Sequence, residues 1–168
     1  MAIQYVVGDA TAPQGTGPKV LAHCVNDIGK WGSGFVLAID ARWPQVGPRY
    51  RQWSRAHLAV LQPDLRAADD PPFHLGAVQF VEVEPALWVA NLVGQHRTIR
   101  EGEKVPVRYE ALTMGFQTVA AFCRVHGASA HAPRLGAGLA RGSWPKIADL
   151  IEKEIVDRGV PITVYDLG

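Results

Sequence analysis

Cysteine is scarce in this chain: Cys24 and Cys123 are the only two, both lie in apolar segments, and neither has a partner at metal-ligand spacing. That pattern argues against zinc and predicts two buried free thiols, and nothing else in the sequence asks for a metal or a cofactor. An excess of charge is missing too. Seventeen basic residues face sixteen acidic ones without a basic run, for a formal net charge of +1. No general field draws in a polyanion, so any anion site must be local, which favours a small phosphate ligand over nucleic acid. No apolar run approaches the roughly eighteen residues of a membrane span. The opening Ile3-Gln4-Tyr5-Val6-Val7 has neither a basic head nor a signal core. The expectation is a cytoplasmic protein with no membrane partner. Internal repeats and linkers are absent as well, so the 168 residues, 1–168, are expected to form one domain that buries about two thirds of its unfolded surface.

What is present is glycine in two concentrated loops. Val20-Leu21-Ala22-His23-Cys24-Val25 is a continuous apolar run of strand length, and Asn26-Asp27-Ile28-Gly29-Lys30-Trp31-Gly32-Ser33-Gly34 follows it before a helical run, Phe35 to Trp43, stopped by Pro44. Ser129 to Pro133 reads as another strand, followed by Arg134-Leu135-Gly136-Ala137-Gly138-Leu139-Ala140-Arg141-Gly142 and a helix with Ser143 placed to cap it, Pro145 in its first turn and Ile147, Leu150, Ile151 and Ile155 on its buried side. A glycine turn entering a helix presents bare N–H groups and the positive end of the helix dipole, so it suits a phosphate or diphosphate. Arg134 or Arg141 is placed to assist. A tight turn with no ligand is the alternative for either loop alone. Two such loops on neighbouring strands would face each other across one cleft.

The remaining segments complete an alternating pattern. Ile3 to Val7 reads as a strand closed by Gly8-Asp9, where Asp9 can cap a turn or offer its carboxylate to a ligand. His23 within its strand is either a satisfied core histidine or a ligand contact, and Asn26 offers a donor and an acceptor to sugar hydroxyls at a strand's carboxyl end. Gly47 to Gln62 suggests a helix and Pro63 to Pro72 a surface loop. Gly76 to Val83 and Leu87 to Val93 read as a hairpin broken at Glu84-Pro85, followed by an irregular segment, Gly94 to Lys104, placed to cover the cleft. Pro106 opens the clearest helix, with Tyr109, Leu112, Phe116, Val119, Ala120 and Cys123 on one face and Gly127 as its stop. Ile162 to Tyr165 is the last strand. The pattern predicts a three-layer α/β/α sandwich around a mixed central sheet.

Taken together, Gly8-Asp9-Ala10-Thr11, His23-Cys24-Val25-Asn26, Trp31-Gly32-Ser33-Gly34-Phe35, Pro133-Arg134-Leu135-Gly136-Ala137-Gly138-Leu139 and Thr163-Val164-Tyr165-Asp166-Leu167 resemble a macro domain, nearly end to end. The order and spacing are similar to the branch typified by terminal ADP-ribose protein glycohydrolase, whose bacterial relatives act on ADP-ribosylated protein or DNA. The resemblance implies ADP-ribose or ADP-ribosylated protein as partner, and nucleic acid only if it is ADP-ribosylated. It implies that Asp9 takes the adenine amine, that Trp31, Gly32, Ser33, Gly34 and Phe35 hold the diphosphate from one side, and that Gly136, Ala137, Gly138, Leu139 and Ala140 hold it from the other. Asn26 would contact the distal ribose and Tyr165 would pack at the adenine, with Ala10, His23, Arg134 and Leu135 completing the ligand-binding set.

Two positions depart from that branch. Its lysine after the hairpin strand is matched by Gln95, and its aspartate after the second glycine loop by Ala140. An amide cannot form a Schiff-base-type lysyl intermediate and a methyl group cannot act as acid or base, so the covalent route is closed. The leading expectation is a mono-ADP-ribosyl-protein hydrolase that cleaves acidic side-chain esters with a positioned water, with Asn26, Gln95 and His96 as its catalytic candidates. The alternatives are a non-catalytic ADP-ribose reader and an ADP-ribose 1″-phosphatase.

Overall fold

The computed structural model describes residues 2–60 and 70–168. Among these residues six strands form one sheet: β1 (Gln4–Val7), β2 (Lys19–Asn26), β3 (Val78–Glu84), β4 (Leu87–Gln95), β5 (Ser129–Ala132) and β6 (Ile162–Asp166), in the order β1-β6-β5-β2-β4-β3. Every neighbouring pair is parallel except the β3–β4 hairpin. Among the described residues four α-helices, α1 (Val36–Arg42), α2 (Val46–Ser54), α3 (Tyr109–His126) and α4 (Trp144–Glu154), cover the two faces.

Alternation along β2 decides which helices go where, because successive side chains of a strand point to opposite faces. Val20 and Ala22 join Leu112, Phe116 and Val119 of α3 and Ile147 and Ile151 of α4 in one buried cluster. Leu21 packs with Ile39 and Trp43 at α1 and Val46 of α2, and Val25 packs with Tyr50 and Trp53 of α2. Both faces of β2 are therefore buried, as a continuous apolar run requires, and the expected three-layer α/β/α arrangement with a mixed sheet is observed.

The approach of α3 to β4 is close enough to need glycine. An added Cβ at Gly115 would stand 2.3 Å from Leu92 Cγ. Gly127 ends α3 in the left-handed region at φ 62°, and Ala128 N–H then donates to Cys123 O at 2.8 Å. Ser143 does occupy the N-cap position of α4, but its hydroxyl makes no capping bond; its backbone N–H donates instead to Tyr109 Oη at 2.9 Å.

Between Gly47 and Gln62 the single expected helix is shorter: α2 ends at Ser54 and a 3-10 turn follows over Ala56–Val60. Leu61, Gln62 and most of the expected loop from Pro63 to Pro72 lie outside the described residues. Both cysteines are free, Cys123 buried and Cys24 half-buried, and burial pushes the Cys123 thiol up to about 12. Among the described residues no helix is long and apolar enough to cross a membrane, and no three His, Cys, Asp or Glu side chains are grouped to hold a metal ion.

Candidate functional site

Because five strands run parallel, their carboxyl ends share one edge of the sheet, and β5, β2 and β4 lie side by side there. From β2 the chain leaves towards α1 on one face, and from β5 towards α4 on the other. Such a reversal opens a crevice between the two strands. The β2–β5 ladder stops at the Leu21–His131 rung. Beyond it is a cleft of about 1190 Å³, walled by the loops that follow β2, β5 and β4.

The first wall is the glycine loop after β2. Asn26 organises its base: Oδ1 accepts from Ile28 N–H at 3.1 Å, Lys30 N–H at 3.0 Å and Tyr50 O–H at 2.9 Å, while Nδ2 donates to Lys30 O at 2.7 Å. Its acceptor side is filled by its own loop, so one amide hydrogen is what this side chain has left for a ligand. Trp31 anchors the loop's middle. Its Nε1–H donates to Asp40 Oδ1 at 2.9 Å, Arg51 donates to its carbonyl at 3.2 Å, and its indole lies so close to α2 that a Cβ at Gly47 would come within 2.9 Å.

The second wall, after β5, is folded by its own backbone. Gly142 N–H donates to Gly136 O at 2.7 Å, Arg141 N–H to Gly138 O at 2.9 Å, and Ala137 N–H to Arg134 O at 3.2 Å. Gly136 takes φ 79°, in the region that favours glycine. Leu139 reaches across the cleft, so that a Cβ on Gly34 would stand 2.9 Å from its Cδ1. Among the described residues, no acceptor is found for the N–H groups of Gly32, Ser33, Gly34 and Phe35 on one wall, or of Gly138, Leu139 and Ala140 on the other. Two sets of backbone donors thus border one cleft, the arrangement that binds an anion.

The third wall follows β4. A β-bulge at the β2–β4 ladder skips Gly94 and pairs Asn26 with Gln95, bringing both carboxamides to the cleft. Gln95 Nε2 donates to Arg97 O at 3.0 Å. The irregular segment expected to cover the cleft does line it, through Thr98, Ile99 and Arg100, and contains one short 3-10 turn, Ile99–Glu101. It is laced to the first wall by the Lys30–Glu101 ion pair and by Asp27, which accepts from Arg97 N–H at 2.7 Å and meets His96 Nδ1 at 2.7 Å. The Lys30 ammonium, with Thr98, holds the Glu101 carboxyl down to about 2.

The cleft gathers His23, Asn26, Trp31, Gly32, Ser33, Gly34, Phe35 and Gln95, together with Arg134, Leu135, Gly136, Gly138, Leu139 and Ala140. It does not gather Asp9, Ala10, His96, Ala137 or Tyr165. Asp9 stands at the end of β1 on the same edge of the sheet, where Oδ1 accepts from Thr11 N–H at 2.8 Å and Thr11 O–H at 2.7 Å; those bonds lower its pKa. Tyr165 is buried, and its hydroxyl accepts from Gln14 N–H at 2.8 Å and meets His131 Nδ1 at 2.7 Å. Arg134 lines the cleft, but its guanidinium is paired with both oxygens of Asp166, at 2.6 and 2.9 Å, between the rings of Tyr5 and Trp144. Ala140 is buried in the α3/α4 core, with its carbonyl accepting from Val107 N–H at 3.0 Å. Lys30, Gly47, Arg51 and Arg100 were not among the sequence candidates; only the position of the segment after β4 hinted at Arg100.

No protein-family model matches the chain. A solved macrodomain protein from Streptomyces coelicolor, however, is 49% identical to it, with 99% of each chain covered and a TM-score of 0.80. The chain belongs to the macrodomain family. This macrodomain is also 31% identical over 165 residues to mouse chromodomain-helicase-DNA-binding protein 1-like, covering 97% of the chain but only 17% of that protein's length. It is 25% identical over 167 residues to the human ADP-ribose glycohydrolase OARD1, covering 98% of the chain and 91% of the human protein.

Proposed function

We propose that this macrodomain, acting as one unit over 1–168 in the cytoplasm, binds ADP-ribose and hydrolyses its ester linkage to acidic side chains of modified proteins. The observation that carries the reading is the pair of donor-lined glycine loops bordering one cleft. A diphosphate has the charge and size for that cradle, and the N–H groups of Gly32 to Phe35 and Gly138 to Ala140 would hold it from both sides. The name of the human relative, an ADP-ribose glycohydrolase, supports the same ligand. Asp9 would keep one oxygen on Thr11 and offer the other to the adenine amine, beside Ala10 and the ring of Tyr165.

Hydrolysis would proceed without a covalent enzyme intermediate. A glycosyl ester releases a carboxylate, whose conjugate acid has a pKa of about 4, so departure needs little help from a general acid. Water oxygen attacks the anomeric carbon, the bond from that carbon to the ester oxygen breaks with its electron pair, and the water's surplus proton passes to solvent. Gln95 is suited to orient that water: one of its two Nε2 hydrogens goes to Arg97 O, while no donor among the described residues engages its Oε1. Asn26 would add one donor towards the distal ribose and hold the first wall in place. His96, held by Asp27 outside the cleft lining, would reach the reacting centre through water.

The buried methyl of Ala140 favours a second reading, a reader that binds ADP-ribose and releases nothing. One assay separates them: incubation with glutamate-linked mono-ADP-ribosylated protein and measurement of released ADP-ribose. Release without any borohydride-trapped adduct is expected. Binding without release would leave the reader, and a trapped lysyl adduct would contradict the mechanism.

A further inference from the structure

Beneath the first glycine loop, buried polar side chains bond in a row across the sheet. Gln79 Nε2 donates to Arg49 O at 3.1 Å and to Asp70 Oδ2 at 2.8 Å. Both partners accept, so the other end of that carboxamide is its oxygen, and Gln79 Oε1 accepts from Asn91 Nδ2 at 2.9 Å. Asn91 therefore turns its own oxygen to His23 Nε2. Only a protonated Nε2 can satisfy that oxygen, and burial, which pulls the pKa of His23 down to about 4, keeps the ring neutral near pH 7. Nδ1 is left as a bare lone pair. It is the one buried side-chain nitrogen or oxygen among the described residues with no partner.

The position of that lone pair follows from the strand register. His23 lies two residues beyond the last β2–β5 rung, where the strands part and the cleft begins. Its ring is tethered through Nε2 to Asn91, its register partner on β4, so Nδ1 is the nitrogen left over in a buried side chain that lines the cleft. Trp31 meets the ring edge-on at 5.5 Å between centroids and Phe35 lies at 5.9 Å, so the middle of the first glycine loop and the residue that follows it rest on the ring.

We propose that His23 Nδ1 is a ligand-sensing acceptor, taking a hydrogen bond from a ribose hydroxyl as the loop between Trp31 and Phe35 settles on bound ADP-ribose. The inference rests on the ADP-ribose reading of the same cleft. Walls of N–H donors attract phosphate oxygen, whereas a bare nitrogen repels it and welcomes a hydroxyl. His23 thereby distinguishes the sugar from the diphosphate and fixes how the ligand is placed along the cleft. The Asn91–Gln79–Asp70 row serves this by holding the tautomer, and leaving a buried acceptor unpaired is a cost that folded proteins seldom retain without use.

The test combines calorimetry with ¹⁵N spectra of the imidazole nitrogens on the same labelled wild-type sample. In the free protein at pH 7 the Nε2–H tautomer is expected, and saturating ADP-ribose should move the Nδ1 resonance to lower frequency as it gains a hydrogen bond. ADP identifies the source: a shift with ADP-ribose alone assigns the distal ribose, and a shift with both ligands assigns the adenosine ribose. Asn91→Leu should release the tautomer and weaken ADP-ribose binding about fivefold, the scale of one neutral hydrogen bond. Heat of binding with an unmoved Nδ1 resonance overturns the proposal, as does an Nδ1–H tautomer in the free protein. Absence of any heat overturns the ADP-ribose reading instead, while the tautomer of the free protein still decides the row of hydrogen bonds on its own.

Discussion

The two glycine loops border one cleft but are held by different means. Side chains pin the first: Asn26 clamps its base, Tyr50 holds Asn26, Asp40 and Arg51 hold Trp31, and Glu101 holds Lys30. The second is folded by backbone bonds between its own residues, above all Gly142 N–H to Gly136 O. Shape in the first loop therefore depends on residues elsewhere in the chain, and shape in the second depends on the absence of side chains. Each loop also adjoins a strand carrying a buried histidine, His23 in β2 and His131 in β5.

The largest contrast should appear within the second loop. A Cβ at Gly138 meets nothing within 4 Å, whereas one at Gly142 would stand 2.5 Å from Gly136 O. Gly138→Glu is expected to abolish ADP-ribose binding and keep the wild-type melting temperature, because it adds charge and bulk only where the diphosphate sits. Gly142→Ala is expected to lower stability by roughly 1–3 kcal/mol through overpacking. Thermal unfolding beside calorimetry separates the two, and equal stability of both variants would remove the backbone account of this loop.

Acid should act on both loops. Burial lowers the pKa of His23 and of His131 from 6.5 to about 4. Between those values the unfolded chain binds protons that the folded chain refuses, so this contribution is intact above about pH 6.5 and is lost as pH falls towards 4. Each histidine accounts for on the order of 3 kcal/mol across that window. Denaturant unfolding at pH 7, 5.5 and 4.5 should show the decline, and replacing either histidine with a residue that does not titrate should flatten it. A stability constant from pH 7 to 4.5 would contradict the burial of both neutral rings.

In the first loop the effects should be graded. Tyr50→Phe keeps the ring but removes the donor to Asn26 O, at 2.6 Å, and to Asn26 Oδ1, and is expected to cost about 1–2 kcal/mol and to weaken ADP-ribose binding with it. Lys30→Met breaks only an ion pair whose lysine is more than half exposed, so its melting temperature should match wild type. A Lys30→Met effect as large as that of Tyr50→Phe would mean that the rim rather than the buried clamp sets the loop.

Local patterns in the sequence were enough for the glycine loops, the hairpin, the long helix α3 and the layered sheet. Each rests on periodicity or on turn residues that act within a few positions. What stayed hidden depends on strand order. His23 and Asn91 become neighbours because β2 pairs with β4, Trp31 finds a bed at Gly47, and Lys30 meets Glu101 across two loops. Arg134 looked free to help a phosphate because Asp166 is distant in sequence, and the carboxamide of Asn26 looked free because its closure onto Lys30 depends on the loop's full geometry. Helix α2 stopped short of its apolar stripe at Ser54, where Arg55 N–H turns back to Gln52 and Trp53 carbonyls.

The central claim is that backbone donors on two loops recognise a diphosphate, and calorimetry of the wild-type protein with ADP-ribose and with adenosine tests it most directly. The account predicts micromolar binding of ADP-ribose and adenosine binding at least about a hundredfold weaker, a difference of roughly 3 kcal/mol for the diphosphate and distal ribose together. Equal affinity for the two ligands would contradict it.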